Sequence, residues 1–323
     1  MLAIEGLSVT FPSPRGRFKV IEDVGFKIGP GETLGVVGES GSGKSMTALA
    51  AMRLLPEGGA IGSGTVRLDG VDLVAKPAGE MRTVRGRALS MIFQEPMRSL
   101  NPLLRAGFQI GEALEAHLGM SRAEARAKAI ELLRLVGFPS PELQVDRYPH
   151  ELSGGMRQRV MIAMALALEP KVVIADEPTT ALDVTIQAQV LRLLQRLGRE
   201  RKMGMLLITH DLGVVARMAT RVVIMYAGQI VEEADTRRIF SGARHPYTQL
   251  LLRAMPRVSA KLDRLQQISG TAPLATAWPA GCRFQSRCPV ATAVCRTDVP
   301  PLVPTADGGR VRCWHANKGE FVQ

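Results

Sequence analysis

Residues 38–45 read Gly38-Glu39-Ser40-Gly41-Ser42-Gly43-Lys44-Ser45, the G-x-x-x-x-G-K-S spacing of a loop that wraps phosphate. The glycines let main-chain N–H groups turn inward, and a helix starting there adds the positive end of its dipole. Lys44 supplies a point charge for terminal phosphates, and the Ser45 hydroxyl is a ligand for Mg²⁺. A second set is Asp176-Glu177, two carboxylates closing an apolar run. Asp176 suits Mg²⁺ held through water. Glu177, one residue on, suits a base or water-positioner at a γ-phosphate. Gln94 and His210 each close an apolar run as well. Gln94 reads as a loop hydrogen-bonder or as a metal ligand. His210 reads as a surface imidazole or as a donor to γ-phosphate.

These groups need elements to carry them. Leu34 to Val37 is a short buried strand leading into the loop, and Met46 to Leu55 are helix formers. Residues 89–94, 171–177 and 205–209 are further buried strands, so all four chemical groups fall at strand C-termini, where α/β sheets bind ligands. Residues 3–10 alternate and read as an edge strand ending at Phe11, a ring for the core or for stacking on adenine. Residues 19–28 are a second strand, and 62–74 a hairpin about Asp69-Gly70. Ser121 and Glu124 form a capping box opening a helix that Gly137 and Pro139 stop. Ser153 caps the helix after Leu152, and the pair Gly154-Gly155 reads as ordinary capping or as admitting close approach of something to its N-terminus. A long helix spans 186–199, a hairpin turns at Ala227-Gly228, and a short helix follows at 236–241.

Composition narrows the classes. The chain has 323 residues, 46% hydrophobic, a formal charge of +11 and 4% aromatics. It suits one large domain plus an appendage. No apolar run approaches the roughly 20 residues that span a bilayer, and no signal peptide is read at the N-terminus. The basic charge fits nucleotide phosphates, an anionic membrane surface or nucleic acid, but few aromatics argue against single-strand binding. All four cysteines lie beyond residue 281, as Cys282-x5-Cys288-x6-Cys295-x17-Cys313, after a Pro/Gly-rich linker over 269–281. Disulfides are disfavoured in a cytosolic protein. The spacing lacks the short knuckles of zinc sites and is not the ferredoxin run either; cluster, zinc with His315, and free thiols all remain open.

Taken together, residues 38–45, Gln94, 152–159, 171–177, 181–183 and His210 resemble the ATP-binding subunit of ABC transporters: Walker A, Q-loop, signature, Walker B, D-loop and H-loop in order. Residues 92–97 with Asn101-Pro102, 179–187, His245-Pro246-Tyr247-Thr248 and the cysteine tail are similar to the oligopeptide/dipeptide importer branch. The resemblance implies an α/β fold, a P-loop NTPase core with a mainly parallel sheet. It adds an N-terminal antiparallel β subdomain, an inserted helical subdomain over about 100–168 and a small cysteine-bearing tail. It implies an ATPase domain over 1–240 and a C-terminal region over 241–323. ATP would meet Phe11, Gly38, Glu39, Ser40, Gly41, Ser42, Gly43, Lys44, Ser45, Met46, Gln94 and Asp176. Mg²⁺ would meet Ser45, Gln94 and Asp176, with Glu177, His210 and Gln94 catalytic. A partner's ATP would meet Ser153, Gly154, Gly155 and Gln158, with Asp183 in the D-loop. Cys282, Cys288, Cys295 and Cys313 would hold a [4Fe–4S] cluster, zinc being the alternative.

The partners so implied are a second ABC ATPase, identical or related, in a head-to-tail dimer, two transmembrane permease subunits reached near Gln94 to Pro102, and indirectly an extracytoplasmic solute-binding protein. Nucleic acid is not expected, and the place is the cytoplasmic face of the inner membrane, peripheral. Two other classes compete: a soluble ABC ATPase acting on nucleic acid, and a redox or metal sensor.

Overall fold

The computed structural model describes residues 1–14, 16–95, 99–179, 184–255 and 268–316. In chain order the strands are β1 (Leu2–Ser13), β2 (Gly16–Ile28), β3 (Thr33–Val37), β4 (Ala60–Leu68), β5 (Val71–Asp72), β6 (Leu89–Ile92), β7 (Val172–Asp176), β8 (Gly204–Ile208), β9 (Arg221–Tyr226), β10 (Gln229–Asp235), β11 (Val303–Pro304) and β12 (Arg310–Val311). The described residues divide into two compact units, one of Met1–Leu2, Lys27–Thr33 and Arg67–Ile208, the other of Ala3–Phe26, Leu34–Val66 and Thr209–Gln323.

The first unit is built on β6, β7 and β8, all parallel, with Leu89 opposite Val172 and Asp176 opposite Ile208. Every residue of these three strands is buried, which is why they read as continuous apolar runs rather than alternating ones. Helices Ala106–Leu118, Arg122–Leu135 and Gly154–Leu166 belong to the same unit. The second of them starts at the capping box read from sequence: Ser121 Oγ accepts from Glu124 N, and the Glu124 carboxylate accepts from Ser121 N at 2.8 Å. Its apolar stripe (Ala125, Ala129, Leu132, Leu133) is buried. Val184–Glu200 is strongly amphipathic and buries Val190, Leu191, Leu194 and Leu197.

In the second unit β3 pairs parallel with β9, Leu34 opposite Arg221 and Val37 opposite Ile224. β9 turns back through Ala227 and Gly228, both at positive φ, into antiparallel β10. The far side of β10 takes β12 antiparallel, with Glu232 opposite Val311, and β11 follows. The C-terminal tail therefore extends the same sheet as the strand that feeds the phosphate loop. β1 lies between β2 and β4, which corrects the edge-strand reading. β4 (Ala-Ile-Gly-Ser-Gly-Thr-Val-Arg-Leu) carries little alternation to announce the strand that covers β1.

The segment 269–281, read as a linker, is also different. The Arg283 guanidinium lies 3.3 Å from the centre of the Trp278 ring, donates to Ala227 O at 2.5 Å and pairs with Glu22. Its Pro/Gly content reflects a winding path over a surface, since such residues serve tight turns as well as linkers.

Candidate functional site: two half-sites and a thiol cavity

In the second unit, β3 delivers the chain to the loop, and Gly38 begins it. A Cβ on Gly38 would stand 2.2 Å from Met225 O, so only glycine fits. Gly43, at φ 99°, is the N-cap residue of helix Lys44–Ala51, and a Cβ there would strike Ile21 at 2.5 Å. Lys44 is 6% exposed; its Nζ donates to Gly38 O at 2.7 Å and Glu39 O at 2.9 Å. The ammonium thus sits over the loop's own carbonyls, where anionic phosphate oxygens are the natural partner for its charge. Ser42 N donates back to Glu39 O, Gly228 N to Ser42 O, and Thr47 Oγ1 to Gly43 O at 2.9 Å. Ser45 and Met46 follow on the helix, half-buried, and Ser40 and Gly41 lie at the loop. Phe11 is half-buried, its ring centre 6.4 Å from that of Phe18. His210 is exposed, immediately before Asp211, whose carboxylate caps helix Leu212–Met218 by accepting from Gly213 N and Val214 N.

In the first unit, Asp176 closes β7 and is 4% exposed. Glu177 follows at φ 46°, unusual for a residue with a side chain. Its N–H donates to Ile208 O at 2.9 Å, which holds the turn. Backbone strain of this kind gathers at catalytic positions. The Gln94 amide Nε2 donates to Glu177 Oε2 at 3.0 Å, which leaves the amide oxygen as the side of Gln94 suited to a metal. The Gln94 amide oxygen and the Asp176 carboxylate are hard oxygen donors of the kind Mg²⁺ takes, as is, in the second unit, the Ser45 hydroxyl.

Ser153 caps helix Gly154–Leu166, its Oγ accepting from Met156 N at 3.3 Å. Ser153 and Gly154 are exposed, and a Cβ on Gly154 would meet nothing within 4 Å, so the helix N-terminus presents open face. Gly155 lies against Ile186. Gln158 differs from the rest of the signature: it is 1% exposed, and its Nε2 has no hydrogen-bond partner among the described residues. Asp183 lies outside the described residues, as do residues 96–98 of the stretch read as reaching the permease.

All four cysteines line one cavity, with His245, Phe284, Trp314 and His315 among its other walls. Cys295 is buried and the other three half-buried. His315 Nε2 lies 3.6 Å from Cys295 Sγ and 3.0 Å from Thr292 Oγ1. Burial raises the thiols of Cys282 to about 11 and Cys313 to about 12, and raises that of Cys288 too. Such thiols are poor nucleophiles on their own. The donor set suits a soft metal or cluster. As the chain stands, however, no three His, Cys, Asp or Glu side chains among the described residues are grouped closely enough to hold an ion.

Sequence reasoning missed what supports the loop. Tyr247, within His245-Pro246-Tyr247-Thr248, accepts from Glu39 N on its hydroxyl at 3.0 Å. Tyr226, Tyr247 and Phe284 are buried ring against ring, centres 4.7–5.4 Å apart; each such pair adds about 1 kcal/mol beyond area burial. His245 caps its helix by accepting from Tyr247 N on Nδ1. The only sequence signal for any of this was the family-like tetrapeptide itself.

A parallel-sheet strand, phosphate loop and helix in one unit, with a strand end of buried Asp176 followed by Glu177 and a capped Ser-Gly-Gly helix in the other, define a P-loop NTPase of the ATP-binding-cassette class. Residues 21–180 match the ABC transporter family and residues 231–295 the oligopeptide/dipeptide transporter C-terminal region. The chain is 47% identical over 313 residues to the dipeptide transport ATP-binding protein DppD of Escherichia coli (strain K12), covering 97% of this chain and 96% of that protein. It is 48% identical over 315 residues to the oligopeptide transport ATP-binding protein AppD of Bacillus subtilis (strain 168), with the same coverage of each. Among solved structures, a dimeric ATP-binding cassette in a post-hydrolysis state with ADP and phosphate superposes with a TM-score of 0.67, at 28% identity, over 73% of this chain and 99% of that one. The chain belongs to the ATP-binding subunits of ABC transporters, and it is an ATPase. The nucleic-acid and sensor alternatives are not favoured by these relatives.

Proposed function

We propose that this chain is the ATP-hydrolysing subunit of a di- or oligopeptide importer. The observation that carries the reading is the match of residues 231–295 to the oligopeptide/dipeptide transporter C-terminal region, on a chain nearly half identical to DppD from end to end. In this reading residues 1–240 are the ATPase domain and residues 241–323 the C-terminal region.

Phosphates bind to the N–H groups of residues 38–45 and to Lys44, with Phe11 against the adenine. Ser45, Gln94 and Asp176 would hold the Mg²⁺ that accompanies ATP, and that ion would supply Lewis-acid polarisation of phosphoryl oxygens. Glu177 takes the proton of the attacking water, and His210 donates to the γ-phosphate oxygens. Ser153, Gly154 and Gly155 present their helix N-terminus to the γ-phosphate of a second ATPase subunit, which pairs head to tail with this one. Gln158 belongs to the same signature, and Asp183 is the D-loop residue in this reading. Two permease subunits receive the closing and opening motion, and an extracytoplasmic binding protein delivers the solute. No helix among the described residues is long and apolar enough to cross a membrane; the proposed place is the cytoplasmic face of the inner membrane, peripheral.

The tail cysteines are proposed to hold a [4Fe–4S] cluster, supported by all four thiols lining one cavity. The position of His315 Nε2 near Cys295 Sγ favours zinc as the second reading. Iron, acid-labile sulfide and zinc analysis of anaerobically purified protein separates the two. For the main reading, co-expression with its permease subunits and reconstitution into vesicles should give ATP-dependent uptake of di- or oligopeptides. Uptake of none of them, alongside intact ATPase, would overturn the peptide assignment.

A further inference from the structure

The phosphate loop contains a carboxylate, Glu39, one residue after its first glycine. A fixed negative charge in a loop that receives a polyphosphate opposes binding unless something neutralises it. In this chain the neutralising group comes from the C-terminal tail. Arg287 Nη1 meets Glu39 Oε2 at 2.8 Å and Nη2 meets Oε1 at 3.1 Å, a two-pronged pair. The Arg287 side chain is only 5% exposed and that of Glu39 28%.

Arg287 is itself held from several sides. Its Nε donates to Ser269 O at 2.9 Å, Nη2 to Ile268 O at 3.2 Å and Nη1 to Tyr226 Oη at 3.3 Å. The guanidinium lies 5.7 Å from the centre of the Tyr226 ring. Glu39 is gripped as completely: its N–H donates to Tyr247, its carbonyl accepts from Lys44 Nζ, and its carboxylate is taken by Arg287. A planar guanidinium fixed at several points holds a carboxylate in one orientation, which a lysine on a flexible stem does not.

We infer that Arg287 is a positioning residue for the nucleotide: it cancels the Glu39 charge and fixes the start of the phosphate loop, so that the C-terminal tail sets the affinity for ATP. This rests on the reading of residues 38–45 as the ATP site and adds to it a determinant 248 residues away.

Equilibrium binding of a fluorescent ATP analogue to the full chain tests it, together with ATPase kinetics of the assembled transporter. Arg287→Ala should weaken nucleotide binding and raise KM about tenfold, the scale of one partly screened unit charge in the site, with kcat at saturating ATP held within about twofold. In a Glu39→Gln background the same substitution should cost less than about twofold, because the charge to be cancelled is gone. A purely structural role for Arg287 would instead give an equal penalty in both backgrounds, and that result, or an Arg287→Ala affinity equal to wild type, overturns the inference. Should Arg287→Ala fail to fold, Arg287→Gln, which can still donate to the 268 and 269 carbonyls, carries the same expectations. Lys44→Ala is the control: undiminished binding by that variant sinks the ATP-site reading itself, whereas its loss with Arg287→Ala unaffected sinks only the role of Arg287.

Discussion

Gln94 donates its amide hydrogen to the Glu177 carboxylate at 3.0 Å, joining the end of β6 to the end of β7. The carboxylate is therefore held as an acceptor before substrate arrives, on a residue whose φ is already strained. Glu177→Gln removes the proposed base and keeps the shape. ATPase activity should fall at least about 10²-fold, while ATP binding persists and ATP-bound dimers accumulate on gel filtration.

Gln94→Glu should act through the same contact. A second carboxylate 3 Å from Glu177 disfavours ionising both, so the apparent pKa of the base rises. A base must be deprotonated to work, so the acidic limb of the pH–rate profile should move to higher pH. An unmoved limb would separate Gln94 from the base.

Gly154 offers a clean separation of fold from function. Nothing lies within 4 Å of a Cβ placed there, and a carboxylate at a helix N-terminus is favoured by about 0.3–1 kcal/mol. Gly154→Asp should thus leave the melting temperature unchanged or slightly raised. If this helix end meets a partner's γ-phosphate, the same charge should abolish ATP-driven dimerisation seen by light scattering. Normal dimerisation would remove the signature from the interface.

His245 supplies a pH dependence. Burial lowers its imidazole to about 3, against about 6.5 in an unfolded chain. Between those values the unfolded state binds the proton and the folded state does not, so stability declines as pH falls below 6.5, by up to about 1.4 kcal/mol per pH unit. Burial raises the neighbouring Glu232 carboxyl, which works in the opposite sense but is common to wild type and variant. His245→Asn keeps an oxygen to cap Tyr247 N without titrating. Its urea-unfolding free energy should change less than wild type between pH 6.5 and pH 5.

Local features were the legible ones. The phosphate loop, the Ser121–Glu124 box, the Ala227-Gly228 turn and the buried strand of residues 172–176 each declare themselves within a dozen residues, because turn chemistry, caps and apolar runs are short-range. Contacts between distant residues were not. Nothing in Arg287 or Tyr247 announces that both hold Glu39, since an arginine in a +11 chain reads as surface charge. Nor could the alternation of β1 reveal that β4 covers its other edge. The region 269–281 misled because glycine and proline mark any sharply turning path, including one docked by Trp278 and Arg283.

The account depends most on Lys44, whose ammonium lies over Gly38 O and Glu39 O at the mouth of the helix. ATP hydrolysis by the assembled transporter carrying Lys44→Ala tests it directly. The account predicts a loss of at least about 10²-fold in ATPase rate, the scale of removing an electrostatic clamp on a transferring phosphoryl group. Hydrolysis at the wild-type rate would contradict it.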